Sequence, residues 1–139
     1  MSRTILVVEE HPSLRERYAE VLRSEGFEVV SAPPTEDAHR LISEAAPDVI
    51  VLDPDCAGGK GMAIALEALG TNPSISLVFN TSHPINMETD FSTWVADAYA
   101  VRSHSPEHVS AAVRRLIPGP ERAARRRRGI SRRQALSRA

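Results

Sequence analysis

Apolar residues follow two rhythms along this chain. Five short runs are continuous and rich in β-branched residues: "TILVV" (Thr4–Val8), "FEVVSA" (Phe27–Ala32), "DVIVLD" (Asp48–Asp53), "SISLVFN" (Ser74–Asn80) and "DAYAV" (Asp97–Val101). Runs of this length and kind read as buried strands. Between them the apolar positions recur at helical spacing. Leu14, Tyr18, Val21 and Leu22 mark a first helix, with Ser13 as its N-cap and Gly26 as its stop. Ala38, Leu41, Ile42 and Ala45 mark a second, and Met62, Ala65, Leu66 and Leu69 a third. "SPEHVSAAVRRLI" (Ser105–Ile117) closes the pattern with Ser105 capping and Pro106 at the first helical position. Ser82–Ala96 holds Pro84, Asn86, Thr89, Asp90, Ser92 and Thr93, poor in helix interiors, so a short or irregular helix is expected there. Strands apolar on both faces and alternating with helices predict an α/β fold, a doubly wound five-stranded parallel sheet covered on both sides.

In such sheets ligands bind beyond the carboxyl ends of the strands. The polar residues there are Glu9 and Glu10 after the first strand, Asp53 after the third, Thr81 after the fourth and Arg102 after the fifth. The stretch "PDVIVLDPDC" (Pro47–Cys56) shows the point, an aliphatic run that ends in Asp53 and Asp55. Carboxylates crowded together repel unless a cation joins them, and hard oxygen ligands select Mg²⁺, which takes one or two carboxylates and keeps sites for phosphate oxygens. A carboxylate in that setting can act as nucleophile toward a phosphoryl group. The hydroxyl of Thr81 and the guanidinium of Arg102 suit holding the transferred oxygens. Plainer roles compete: Thr81 also suits capping the next segment, Arg102 pairing with Asp97, Tyr99 a half-buried strand position, and Cys56 a small loop residue.

Composition changes the picture in one respect. The 139 residues, 42% hydrophobic and 25% charged, suit one soluble globular domain. No apolar run approaches the roughly 20 residues that span a bilayer, "MSRTILVVEEH" does not read as a signal peptide, and the lone Cys56 fits a reducing cytoplasm. The net charge of −1, however, hides an asymmetry. Residues 1–118 carry nine Lys/Arg against seventeen Asp/Glu, whereas residues 119–139 carry eight Arg against Glu121 alone. "IPGP" (Ile117–Pro120) marks the break between a body, 1–118, and a basic tail, 119–139. Such a tail reads as a solvated arm, as a ligand for nucleic acid or an anionic surface, or as a strand of charge folding back on the acidic body.

Taken together, "ILVVEEHPSLRERYAEVLRSEGFEVVSA", "TEDAHRLISEAAPDVIVLD" and "GGKG" resemble the receiver domain of two-component response regulators over about residues 3–117. The resemblance implies a flavodoxin-like (βα)5 receiver fold and a signalling module rather than an enzyme. It makes Asp53 the phosphoacceptor, with Mg²⁺ held by Glu9, Glu10, Asp53 and the backbone carbonyl of Asp55. It makes Thr81 the switch hydroxyl, Tyr99 the aromatic that reports the switch, and Arg102 the counterpart of the family's lysine. A histidine kinase or phosphotransfer protein would supply the phosphoryl group, and a downstream protein or a second copy of the chain would read the result. The 21 residues after Pro118 are too few for an output domain, so a stand-alone receiver is expected. The departures are Glu-Glu for the usual Asp-Asp, Arg102 for lysine, and Ser103 for the proline that usually follows. They leave room for a phosphate-independent pseudo-receiver.

A second resemblance is confined to one stretch. "VLDPDCAGGKG" with an upstream Glu9 or Glu10 is similar to the Toprim fold of primases and topoisomerases, in which a glutamate and an Asp-x-Asp pair bind Mg²⁺. In that reading Asp55 is a ligand and the reaction is phosphodiester chemistry on nucleic acid. The Asp-x-Asp of haloacid dehalogenase phosphatases sits on a first strand, unlike Asp53. His11, His83 and His104 follow strands too, but share no short spacing that would make a metal site.

Overall fold

The computed structural model describes residues 3–81, 98–101 and 106–116, with the backbone alone at residues 81 and 98–101. The chain alternates β1 (Thr4–Val8), α1 (Pro12–Ser24), β2 (Glu28–Ala32), α2 (Glu36–Glu44), β3 (Val49–Leu52), α3 (Cys56–Thr71), β4 (Ser76–Thr81), β5 (Ala98–Val101) and α4 (Glu107–Arg115). All five strands are parallel neighbours in the order β2-β1-β3-β4-β5. This is the doubly wound sheet that the alternation of rhythms predicts. β1 and β3 lie centrally, so their side chains are buried on both faces and their sequences carry no polar alternation.

Two apolar layers flank the sheet, and the strand period of two deals residues alternately into them. Leu6, Val8, Ile50, Leu52, Leu77 and Phe79 pack with α2 and α3. Ile5, Val7, Val49, Val51 and Val78 pack with Tyr18, Ala19 and Leu22 of α1 and with Val109, Ala112 and Val113 of α4. Each fully buried Leu, Ile or Val contributes about 1.5–3 kcal/mol, so these layers hold the strand ends rigidly in place.

The helix ends correct several expectations. Ser13 is not the cap of α1: His11 is, and Pro12 occupies the first turn, where its missing N–H is no loss. Gly26 does stop that helix, at φ 96°. Thr35 caps α2, its hydroxyl accepting from the Asp37 amide at 3.3 Å. α4 is capped by Pro106 without a side-chain hydrogen bond, while Ser105 lies outside the described residues. In α3 the inward face is Ile64, Ala65, Ala68 and Leu69, and Leu66 is instead 45% exposed. Cys56 is buried rather than placed on a loop.

Candidate functional site

Strand register builds the site. Val8 pairs with Leu52, and Leu52 with Phe79. The next residues are Glu9, Asp53 and Asn80, so one row across three adjacent strands ends in two carboxylates and an amide. Thr81 follows Asn80, and Thr81 pairs with Val101, the residue before Arg102. The side chains of Thr81 and Tyr99, and all of Arg102 and Ser103, lie outside the described residues, as do Ser82–Ala96, His83, His104 and the tail 119–139.

Glu9 is 2% exposed. A buried carboxylate is costly unless hydrogen-bonded, and its Oε2 accepts from the His11 amide at 3.1 Å. Its backbone continues the sheet, the Glu9 amide donating to the Ala32 carbonyl at 3.1 Å. Its own carbonyl accepts from Nη1 of Arg15 at 2.8 Å. The Oε2 and the carbonyl of Glu9 thus both help to shape the turn that launches α1. Glu10 is exposed. The acidic pair is thus uneven in exposure: β1 ends at Val8, Glu9 is buried and Glu10 is open to solvent.

The end of β3 is built differently. Asp53 is half-buried, and its Oδ1 accepts from the Asp55 amide at 2.9 Å. Its carbonyl accepts from the Cys56 amide at 3.1 Å. Ala57, Gly58 and Gly59 then run left-handed, with φ of 52°, 70° and 96°, a conformation that L residues other than glycine enter at a cost. The chain closes back on itself through the Met62 amide, which donates to the Pro54 carbonyl at 3.0 Å. Gly61 makes that closure fit: a Cβ there would stand 2.0 Å from the Asp53 carbonyl oxygen. "GGKG" accordingly divides into two glycines needed for backbone sign and one needed for close approach.

Glu10, Asp53 and the Asp55 carbonyl are hard oxygen donors of the type that suits Mg²⁺, which needs few protein ligands. Among the described residues no group of three His, Cys, Asp or Glu side chains is gathered as a metal site. Such donors suit an ion whose shell is completed by water and phosphate oxygens. Asp55 is exposed, and its amide serves Asp53. Among the described residues no helix is long and apolar enough to cross a membrane.

Arg15, Asn80 and His108 join this region in the structure without standing out as its residues in the sequence. Asn80 had a visible signal, a lone amide in the apolar run "SLVFNT". It is 2% exposed, with His108 Nε2 at 3.1 Å from its Oδ1. Gly61 closes the "GGKG" stretch, which marks a glycine-rich turn without saying which glycine needs the close approach, whereas Arg15 and His108 had no signal.

Comparison with known proteins bears on the same residues. The family model of the response regulator receiver domain matches residues 5–113. The phosphate regulon transcriptional regulatory protein PhoB of Escherichia coli is 31% identical over 130 residues, covering 85% of this chain and 55% of PhoB. The chain spans between 28% and 55% of the length of the curated relatives it matches. Among solved structures, the complex of histidine kinase ThkA with response regulator TrrA matches at TM-score 0.71 and 28% identity, over 84% of this chain and 99% of the matched chain. TrrA from Thermotoga maritima in complex with Mg²⁺–BeF matches at TM-score 0.67 and 28% identity, over 83% of this chain and 99% of that one. With its sheet order, its acidic strand ends and a match over most of its length, the chain belongs to the response regulator receiver domain family.

Proposed function

We propose that the chain accepts a phosphoryl group on Asp53 from a histidine kinase or phosphotransfer protein and thereby switches a face read by a downstream protein. The observation that carries this reading is the contrast within the row at the strand ends. Asp53 is the carboxylate left half-exposed at the end of the central strand β3, and the Asp55 amide sets its orientation. An orientation fixed before the reaction lowers the entropy cost of in-line attack.

In the step itself a carboxylate oxygen of Asp53 forms a bond to phosphorus while the bond from phosphorus to the donor's leaving group breaks. Glu10, Asp53 and the Asp55 carbonyl would hold Mg²⁺, which supplies neutralising charge to the phosphoryl oxygens when bound. Glu9 shapes the turn that presents Glu10. Thr81 sits one residue past the row and supplies a hydroxyl donor, Tyr99 lies on β5 opposite Phe79, and Arg102 follows β5 with a guanidinium. The ThkA–TrrA complex supports a histidine kinase as the donor class, and the Mg²⁺–BeF complex of TrrA supports the metal.

Arg102 gives the reading its own signature. A planar fork is not equivalent to the compact ammonium of lysine. A guanidinium that reached the crevice would pair with resting Asp53 and slow phosphorylation, so Arg102→Lys should label faster than the parent. The test is a time course with acetyl phosphate and Mg²⁺, read by intact mass. The expected result is one added phosphoryl group that depends on Mg²⁺. Failure of both the parent and Arg102→Lys to label would point to the phosphate-independent pseudo-receiver instead.

A further inference from the structure

Asn80 is a polar residue in a strand whose neighbours are apolar. Leu77 and Phe79 pack into the layer of α2 and α3, and Val78 into the layer of α1 and α4. The alternation sends Asn80 to the side of α1 and α4. There it meets His108, the second residue of α4, with Nε2 3.1 Å from its Oδ1. The same imidazole stands edge-on to Tyr18 of α1, ring centroids 5.9 Å apart at an interplanar angle of 86°. Tyr18 is 2% exposed. Three elements, β4, α4 and α1, therefore meet at one imidazole.

An amide Oδ1 only accepts, so in this contact Nε2 of His108 is the donor when it carries the ring proton. The Asn80 amide is held by that bond in the row that ends in Glu9 and Asp53, next to Thr81. Its Nδ2 carries the two donors that a row of carboxylates lacks. A buried amide in a strand would be disfavoured without such partners.

We propose that Asn80 and His108 are positioning residues that couple the charge at Asp53 to the first turn of α4. The inference rests on the reading of Asp53 as the phosphoacceptor. A phosphoryl group on Asp53 raises the negative charge at the end of the row, in a partly buried setting where dipoles respond strongly. The Asn80 amide is the neighbouring dipole on that row. Its oxygen is bonded to His108, so a change in the amide is felt at the imidazole, and through it at the start of α4 and at Tyr18.

The test follows the imidazole ring of His108 by nuclear magnetic resonance in the full chain, with Mg²⁺ and beryllofluoride as the probe. Backbone amides at Asp53 and Asp55 report binding of the probe, with Asp53→Asn as the control. The expected result is a shift of the His108 Nε2–H signal on adding the probe, and loss of that shift in Asn80→Leu while the Asp55 amide still responds. A second arm does not depend on the folding of Asn80→Leu. His108→Gln keeps a donor and should label with acetyl phosphate at the parent rate. His108→Leu should label about threefold to tenfold more slowly, the worth of one hydrogen bond. A role in stability alone would lower the melting temperature of His108→Leu and leave its labelling rate unchanged, which overturns the proposal. An unresponsive His108 with the probe bound, or a response that survives in Asn80→Leu, overturns it as well and leaves the acceptor reading intact. Absence of any response at Asp53 and Asp55 overturns both.

Discussion

The ends of β1 and β3 solve the same local problem with opposite consequences. In each, the carboxylate one residue past the last paired position accepts the amide two residues on: Glu9 from His11 at 3.1 Å, Asp53 from Asp55 at 2.9 Å. After Glu9 the chain enters a helix at once through Pro12, with Arg15 reaching back to the Glu9 carbonyl. After Asp53 it passes through three left-handed residues before α3 becomes regular. Glu9 ends up inside and Asp53 at the surface of the crevice. The same hydrogen-bond pattern thus gives a structural acid in one turn and an accessible, oriented acid in the other. What separates them is the backbone that follows, not the carboxylate.

Substitutions can break this contrast, and the largest effect is expected at Gly61. Gly61→Ala forces a methyl group against the Asp53 carbonyl, so the β3 turn must open. The expected loss is about 3 kcal/mol in urea denaturation, with slower labelling of Asp53. Glu9→Ala comes next. It leaves the His11 amide without its acceptor in a partly buried bond and should cost about 2 kcal/mol, whereas Glu9→Gln keeps an acceptor oxygen and should retain most of that stability. Arg15→Met removes the guanidinium bond to the Glu9 carbonyl and should cost about 1 kcal/mol. The smallest effect has the opposite sign. Ala57 stands at φ 52°, and Ala57→Gly relieves that strain against a larger entropy loss on folding, for a net gain of about 0.5 kcal/mol. A cost larger at Arg15 than at Glu9 would mean that the β1 turn is held by α1 and not by the acid.

The sheet was readable because its signal is local. Central strands buried on both faces must be apolar throughout, and Thr4–Val8 has the bounds that its composition predicts. The carboxyl-end placement of Glu9, Asp53 and Thr81 followed from strand limits alone. The division of labour between Glu9 and Glu10 was not readable, because adjacent identical residues differ only in which way a turn sends them. Ser13 suits a cap by residue type, but the fixed φ of Pro12 suits the first turn better and places the cap at His11. The role of Gly61 depends on an approach to Asp53 that exists only after the turn has formed. The link between Asn80 and His108 spans 28 residues, a distance across which no periodic pattern connects the two.

The most direct test of the central claim is where the phosphoryl group goes. Parent chain, Asp53→Asn and Glu9→Gln are incubated with acetyl phosphate at equal Mg²⁺, and each is read by intact mass and by circular dichroism for folding. The account predicts one phosphoryl group on the parent and on Glu9→Gln, and none on a folded Asp53→Asn. Labelling that persists in Asp53→Asn, or that disappears in a folded Glu9→Gln while Asp53 is intact, would contradict the assignment of Asp53 as acceptor and Glu9 as the acid that shapes the turn.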